Sequence, residues 1–235
     1  KNRAVEGFTL PKVLWLKDNE PVNYEKIDTI LLPKDYLRFR LTGKKHMDYS
    51  DASGTLMLDI ESKTWSQELA EKFDYNISWL PPLVNSSDFV GYASEKIMQK
   101  IGFTTAIPVF AGGADNACAA LASGISNENL SLLSIGTSGV YLSNEEKLRD
   151  YDGTLHFFNH VIGNYYSMGV TLAAGDALKW TRSILDSNLS YNELLKDIDN
   201  IPCGSDGLIF TPYINGERTP HFDSNIRGSF VGLDP

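Results

Sequence analysis

Two hydrophobic rhythms alternate along this chain, and their alternation predicts its elements. Short apolar runs rich in β-forming residues fall at 89–93, 107–111, 130–135, 140–142, 155–161, 164–168 and 208–211, each of strand length. Between them lie stretches with helical punctuation. Thr9 is placed to cap a helix with Pro11 in its first turn and Val13, Leu14, Trp15 and Leu16 as its apolar core. Pro21 opens a short helix to about residue 30, and Pro33 opens another that Gly43 stops. Further helices are expected at 65–73, at 94–101 ahead of Gly102, and at 116–123 closed by Gly124 at the C′ position. One more covers 171–185, with Leu172, Leu178, Trp180 and Ile184 inward. Ser190 and Glu193 form a capping box that opens a helix to about residue 199. Strands alternating with helices argue for an α/β architecture.

Composition narrows the function classes. The chain has 235 residues, 42% of them hydrophobic, which is enough for a sizeable core in one large or two small domains. A net charge of −9 disfavours nonspecific nucleic-acid binding. No apolar run approaches the ~18 residues that cross a bilayer, and the first residues do not read as a signal peptide. Cys118 and Cys203 have no metal-like spacing, and Cys118, in an apolar helix, reads as a small core residue. Such cysteine usage fits a reducing cytoplasm. His156 and His160 are four apart, a ligand spacing on a helix, but they fall in an expected strand pair and no third ligand is evident, so no metal site is assigned.

The informative chemistry lies between residues 107 and 139. An apolar run read as a buried strand ends at Gly112 and Gly113, which allow a sharp turn and leave room for a ligand. Asp115 follows, where a strand ends and a helix begins. It is either the helix N-cap or a general base beside a cleft, kept ionised by free N–H groups and the helix dipole. Farther on, Gly136-Thr137-Ser138-Gly139 separates two apolar runs and forms a hairpin tip. It is either a plain turn or a nest whose N–H groups and hydroxyls bind phosphate oxygens. It lacks the lysine of the strand-to-helix nucleotide loop.

Other residues have local readings. Asp48 is placed to cap a short helix containing Tyr49, Ala52 and Ser53; read from the residues alone, Tyr49 is a packed tyrosine with its hydroxyl at the surface. Asp51 is a cap or a ligand contact, with the structural role favoured. The lysines and arginines of the helix after Pro33 read as a solvated face. Gly175, read from the residues alone, permits close helix packing. Glu217 and Arg218 are expected to pair and fix their loop.

Gly-Gly-Ala-Asp-Asn at 112–116, Ser-Ile-Gly-Thr-Ser-Gly-Val at 134–140, and Pro-Tyr-Ile-Asn-Gly-Glu-Arg-Thr-Pro-His at 212–221 resemble the FGGY family of carbohydrate kinases. Gly-Phe-Thr-Leu-Pro-Lys at 7–12, Leu-Pro-Lys-Asp-Tyr-Leu-Arg at 32–38 and Ser-Asp-Ala-Ser-Gly-Thr at 50–55 resemble its xylulokinase branch in particular. The motifs stand in family order along essentially the whole chain.

The resemblance implies an actin-like ATPase (ribonuclease H-like) fold of two related α/β domains. Residues 1–133 would be the C-terminal part of the sugar-binding domain, and 134–235 the N-terminal part of the nucleotide-binding domain. It implies ATP-dependent phosphorylation of a sugar, D-xylulose at O5 first among them, with gluconate, glycerol and ribulose as alternatives. Asp115 would be the general base, with Asn116 and Tyr49 beside it on the sugar. Gly136, Thr137, Ser138, Gly139 and Gly175 would hold the nucleotide. The latter matches the glycine of the Ala-Gly-x-x-x-x-Trp segment of glycerol kinases, as Tyr49 matches their substrate tyrosine. The partners implied are a sugar, ATP and Mg²⁺, the ion held mostly by water and phosphate, in a cytoplasmic protein compatible with a homodimer, with no nucleic acid and no membrane. The family's first phosphate loop, Asp-Gly-Thr/Ser, and its late adenine-binding segment are not found, which reads as a central fragment with weak or no activity by itself. A non-catalytic actin-like nucleotide-binding module is the rival from another class, and a purely structural scaffold a third.

Overall fold

The computed structural model describes residues 2–127 and 129–234. In chain order the elements are α1 (Thr9–Asn19), α2 (Pro21–Tyr24), α3 (Pro33–Thr42), β1 (Met47–Asp48), α4 (Tyr49–Ser53), β2 (Leu58–Asp59), β3 (Thr64–Trp65), α5 (Gln67–Phe73), β4 (Leu83–Val84), β5 (Phe89–Tyr92), α6 (Glu95–Ile101), β6 (Pro108–Phe110) and α7 (Asp115–Ala122). There follow β7 (Ser131–Ile135), β8 (Gly139–Glu145), β9 (His156–Asn159), β10 (Tyr165–Thr171), α8 (Gly175–Leu185), α9 (Tyr191–Leu194), β11 (Ile209–Thr211) and β12 (Ser229–Val231). Strands β7, β8, β10 and β9 hydrogen-bond in that order. The mixture of helix and strand is the α/β class expected. By packing, the chain divides into two compact units, Lys1–Ser131 with Ser143–Ser167, and Leu132–Leu142 with Met168–Pro235.

In the first unit the core gathers Leu10 and Val13 of α1, Met57, Ala70 of α5, Tyr75 and Leu80, flanked by Leu14, Trp65, Phe73 and Trp79. A second cluster joins Met47, Ala52 and Leu58, where β1 pairs in parallel with β4 through Met47 and Leu83. Ser66 caps α5 by accepting from the Leu69 N–H at 3.2 Å. The short helix α4 is tied to β9, since the Ser53 hydroxyl accepts from the Asn159 N–H at 3.0 Å.

In the second unit, β11 and β12 form an antiparallel ribbon that sets Phe210 opposite Phe230. Their rings stack at 4.5 Å, and Trp180 of α8 lies parallel to Phe210 at 6.1 Å. The aromatic stack fastens α8 to the ribbon.

Several expectations fail, in element boundaries and in burial. Thr9 is the first helical residue rather than the cap; Phe8 takes the cap position without a side-chain bond. Within α1 only Leu10 and Val13 are buried, and Trp15 is 56% exposed. The Pro21 helix ends at Tyr24, and α8 starts at Gly175 because Thr171 still belongs to β10. Of its residues only Ala177 is buried, while Leu178, Trp180 and Ile184 are exposed. The capping box at Ser190 and Glu193 forms, but its helix ends at Leu194. Strand β6 forms without being buried: Phe110 is 55% exposed, since β6 pairs only with β5 in a two-stranded ribbon. Apolar character marked the elements well and their inward faces poorly.

The core makes a direct prediction. Met57 is fully buried in the first unit's cluster, so Met57→Ala lowers unfolding free energy by about 2–4 kcal/mol. Val22→Ala, at an exposed position, stays within about 0.5 kcal/mol. Urea denaturation of both variants checks this, and equal effects would contradict the packing described.

Candidate active site

Helix α7 begins at Asp115, and its cap position belongs to Ala114, which makes no side-chain cap. Asp115 is therefore not the N-cap. Its Oδ1 accepts only from its neighbour Asn116, from the backbone N–H at 2.7 Å and the side-chain amide at 3.2 Å. The carboxylate is exposed and Asn116 half-buried. Oδ1 is thus engaged by the second helical N–H, while the carboxylate as a whole stays exposed.

The turn that carries Asp115 is fixed from below. The Ala111 N–H donates to Asp88 and the Gly112 N–H to Ser86, both at 2.9 Å. The Arg38 guanidinium donates to the Ala111 carbonyl, and the Ala114 N–H donates to the Ser50 hydroxyl at 2.9 Å. Gly113 has no space for a side chain: a Cβ there would lie 2.2 Å from Val161 Cγ1 and 3.1 Å from Ser50 Oγ. Here close approach, not turn geometry alone, demands glycine.

Ser50 is held in turn by Asp48, whose Oδ2 accepts from the Ser50 N–H at 3.0 Å and from the Ser86 hydroxyl at 2.8 Å. Asp48 caps α4 as expected. Its other oxygen meets Lys34 Nζ at 2.7 Å, and the same ammonium lies 2.9 Å from Asp35 and 3.2 Å from Asp51. Arg38 pairs with Asp35 at 3.1 Å. This corrects the reading of α3. Its buried face is the charged one, Asp35 and Arg38, while Tyr36 and Leu37 are exposed. Unpaired, such charges would be strongly destabilised by burial; paired and hydrogen-bonded, they can stay.

Two cations face three carboxylates in this cluster. Burial pushes the Asp51 carboxyl up to about 6, against the pull of Lys34, with Asp48 adding to the rise. For Lys34, burial alone would lower the ammonium, but Asp48, Asp35 and Asp51 outweigh it and leave it raised. Among the described residues these three aspartates form the one acidic group tight enough for a metal ion. The Lys34 ammonium already sits among their oxygens, so the group does not fit a divalent cation.

Tyr49 stands on α4 beside Ser50. Its ring is half-buried and lies 5.8 Å from the Lys63 ammonium. Cys118 is exposed, not a core residue, because the α7 face that packs inward carries Ala117 and Ala120. His156 and His160 are both buried. His160 Nε2 has no hydrogen-bond partner among the described residues, and burial lowers the imidazole toward its neutral form.

The other predicted residues lie in the second unit, where the structure brings them together. Residues Gly136–Ser138 are the exposed tip linking β7 and β8, with the Gly136 N–H turned to Ser138 O at 2.9 Å. The Gly136 carbonyl accepts from the Gly175 N–H at 2.8 Å; the Thr137 carbonyl accepts from Ala174 at 2.9 Å and Asp176 at 3.2 Å. Donors at the start of α8, which a helix leaves unsatisfied, are thus spent on the tip. A Cβ at Gly175 would meet Gly136 O at 2.6 Å. Both readings of Gly175 converge here: its close packing is against the tip itself. Sequence reasoning missed Lys34, Arg38 and Ser50 as supports of the Asp115 turn; the one available signal was an arginine and an aspartate three apart on a helix.

Comparison with known proteins gives a consistent picture. The N-terminal domain model of the FGGY family of carbohydrate kinases matches residues 1–122, and the C-terminal domain model of the same family matches 132–235. Xylulose kinase of Lactococcus lactis subsp. lactis is 53% identical over 234 residues, 99% of this chain and 47% of the relative. Xylulose kinase of Bacillus subtilis is 51% identical over 236 residues, 100% of this chain and 47% of the relative. A solved structure of a xylulose kinase from Brucella ovis superposes with a TM-score of 0.92 at 34% identity, over 99% of this chain and 48% of that one. The chain spans about half the length of the curated relatives it matches.

The ionic cluster predicts a pH signature. Asp51 has a folded-state pKa near 6, above its ordinary 3.8, so the fold binds its proton more tightly than the unfolded chain does. Its contribution therefore falls as pH rises from about 4 through about 6. Asp51→Asn has no such loss. Its stability relative to the parent should improve by about 1–2 kcal/mol between pH 5 and pH 7.5. Chemical denaturation at both pH values measures this, and a constant difference would refute the assignment.

Proposed function

This chain belongs to the FGGY family of carbohydrate kinases and has their actin-like ATPase fold, and from that premise we propose that it serves in the ATP-dependent phosphorylation of D-xylulose at O5. The observation that carries the reading is Asp115: an exposed carboxylate on the first turn of α7, one residue past the cap position and borne on a turn braced by Ser50 and Arg38. The choice of sugar rests on the xylulose kinases that match nearly all of the chain.

In this reading Asp115 takes the proton of the sugar hydroxyl as the oxygen attacks the γ-phosphorus of ATP. A P–O bond forms to the sugar, the bond to the β-phosphate oxygen breaks, and ADP leaves. Phosphoryl transfer calls for positioning and charge stabilisation more than covalent help, and both belong to fixed elements here. Asn116 and Tyr49 accompany Asp115 on the sugar side. Gly136, Thr137, Ser138 and Gly139 receive phosphate oxygens, and Gly175 keeps the tip close to α8. Mg²⁺ accompanies the phosphates of ATP, bound chiefly by them and by water; the aspartates around Lys34 take no part in holding it. The division of the chain at 133/134 into sugar-side and nucleotide-side parts, a cytoplasmic location and a homodimeric assembly complete the proposal.

ADP release by the full-length protein carrying this chain tests it, with ATP, Mg²⁺ and a panel of D-xylulose, gluconate, glycerol and ribulose. General-base assistance contributes ~10²- to 10⁴-fold, so Asp115→Asn should lose kcat by about that factor with little change in ATP binding. Turnover with another sugar would move the substrate and keep the mechanism. Nucleotide binding without sugar-dependent turnover would make this a binding module instead.

A further inference from the structure

We propose that Glu217 is a positioning residue for the phosphate-binding tip at Gly136–Gly139; the proposal rests on the nucleotide role of that tip given above. Glu217 is 5% exposed, and its carboxylate faces inward to the end of β10. One oxygen accepts from the Thr171 hydroxyl at 2.6 Å. The other accepts from the backbone N–H of Leu172 at 3.0 Å and of Arg218 at 2.6 Å. A buried carboxylate with three donors fixes the chain that supplies them.

What it fixes is the junction from β10 into α8. Thr219 grips the same strand end, its N–H donating to Val170 O at 3.0 Å and its hydroxyl to the same oxygen at 2.9 Å. Asn215 adds a third tie, its amide donating to Asp176 at 3.2 Å. Immediately beyond the clasped residues come Ala174, Gly175 and Asp176, the three whose N–H groups hold the carbonyls of Gly136 and Thr137. Thr171 also touches the far side of the tip: a Cβ at Gly139 would lie 2.8 Å from its methyl group. The Glu217 side chain is thus two steps from the tip on each of two routes, and touches no reacting atom.

The chemistry of the pocket separates two substitutions. Glu217→Ala leaves the Leu172 N–H and the Thr171 hydroxyl without their acceptor. Glu217→Gln can keep every contact: its carbonyl oxygen accepts both N–H groups, and its amide donates to the Thr171 oxygen, since a hydroxyl can accept as well as donate. A role through net charge would distinguish Glu from Gln; a role through geometry does not.

Steady-state kinetics of the full-length protein test this, with thermal melting to confirm that each variant is folded. Glu217→Ala should raise KM for ATP about tenfold and leave the sugar KM within about twofold, while Glu217→Gln stays near the parent. Thr171→Val, which keeps the shape against Gly139 and removes one donor, should shift the ATP KM in the same direction by about threefold, and stands in if Glu217→Ala does not fold. The double variant Thr137→Ala with Ser138→Ala probes the tip directly. If it raises the ATP KM and neither Glu217→Ala nor Thr171→Val does, the positioning role is overturned and the tip's role survives. If no variant moves the ATP KM, the nucleotide assignment of the tip falls, and this proposal with it. Equal loss of sugar and ATP affinity in Glu217→Ala also overturns it, since that marks general disruption.

Discussion

The Lys34 ammonium, held among Asp35, Asp48 and Asp51, is the contact on which the Asp115 turn depends. Through Asp48 it fixes Ser50, and through Ser50 the backbone at Ala114. Arg38, paired with the same Asp35, reaches the carbonyl of Ala111. The two residues between these anchors are the glycine pair, and the second anchor leads directly into Asp115. Burying this many charges is costly, and an ion pair alone seldom offsets the cost. Here the carboxylate of Asp48 also accepts from a backbone N–H and the Ser86 hydroxyl, so its desolvation is met by hydrogen bonds as well as by Coulomb attraction. The one imperfect member is Asp51, whose burial, with Asp48 adding to it, outweighs the pull of Lys34 and makes it hold its proton more tightly.

The second unit meets a similar problem at its hairpin tip chiefly with backbone groups. A hairpin tip of small residues has few side-chain contacts with which to hold its shape. The free N–H groups of a helix start supply them, and the tip carbonyls are consumed by Ala174, Gly175 and Asp176. This also orients the tip: with its carbonyls turned to α8, Thr137 and Ser138 are left exposed. The positive end of α8 lies directly behind the loop. The cost of the design is that a single Cβ at Gly175 would push on Gly136 O.

Much of the element order was readable because its signals are local. Gly43, Gly102 and Gly124 end their helices with left-handed backbone, as a glycine at C′ does, and the capping box at Ser190 and Glu193 forms in full. Burial was less readable. Polarity stood proxy for exposure, and that proxy inverts where charges pair with one another, as Asp35 and Arg38 do on α3. It fails again for apolar residues on short helices and two-stranded ribbons, which offer too little partner surface to cover them; Trp15 and Phe110 are the clear cases. The supports of the site were out of reach for a further reason. Ser50 and Ala114 are 64 positions apart, Arg38 and Ala111 73, and no local pattern specifies such pairs.

The same distinction governs what can be argued about Asp115 itself. An aspartate at the start of a helix most often satisfies a helix donor, and sequence cannot separate that duty from a chemical one. Geometry can, in part. With Ala114 at the cap position, Asp115 is the first helical residue, and its Oδ1 accepts from the N–H of the second, Asn116, at 2.7 Å, while the carboxylate stays exposed. The Ala114 N–H, held by the Ser50 hydroxyl at 2.9 Å, sets that register. The rigidity contributed by Lys34, Asp48 and Ser50 is thus more than stabilisation: it fixes the place at which this carboxylate leaves the turn, and with it the helical N–H that it meets.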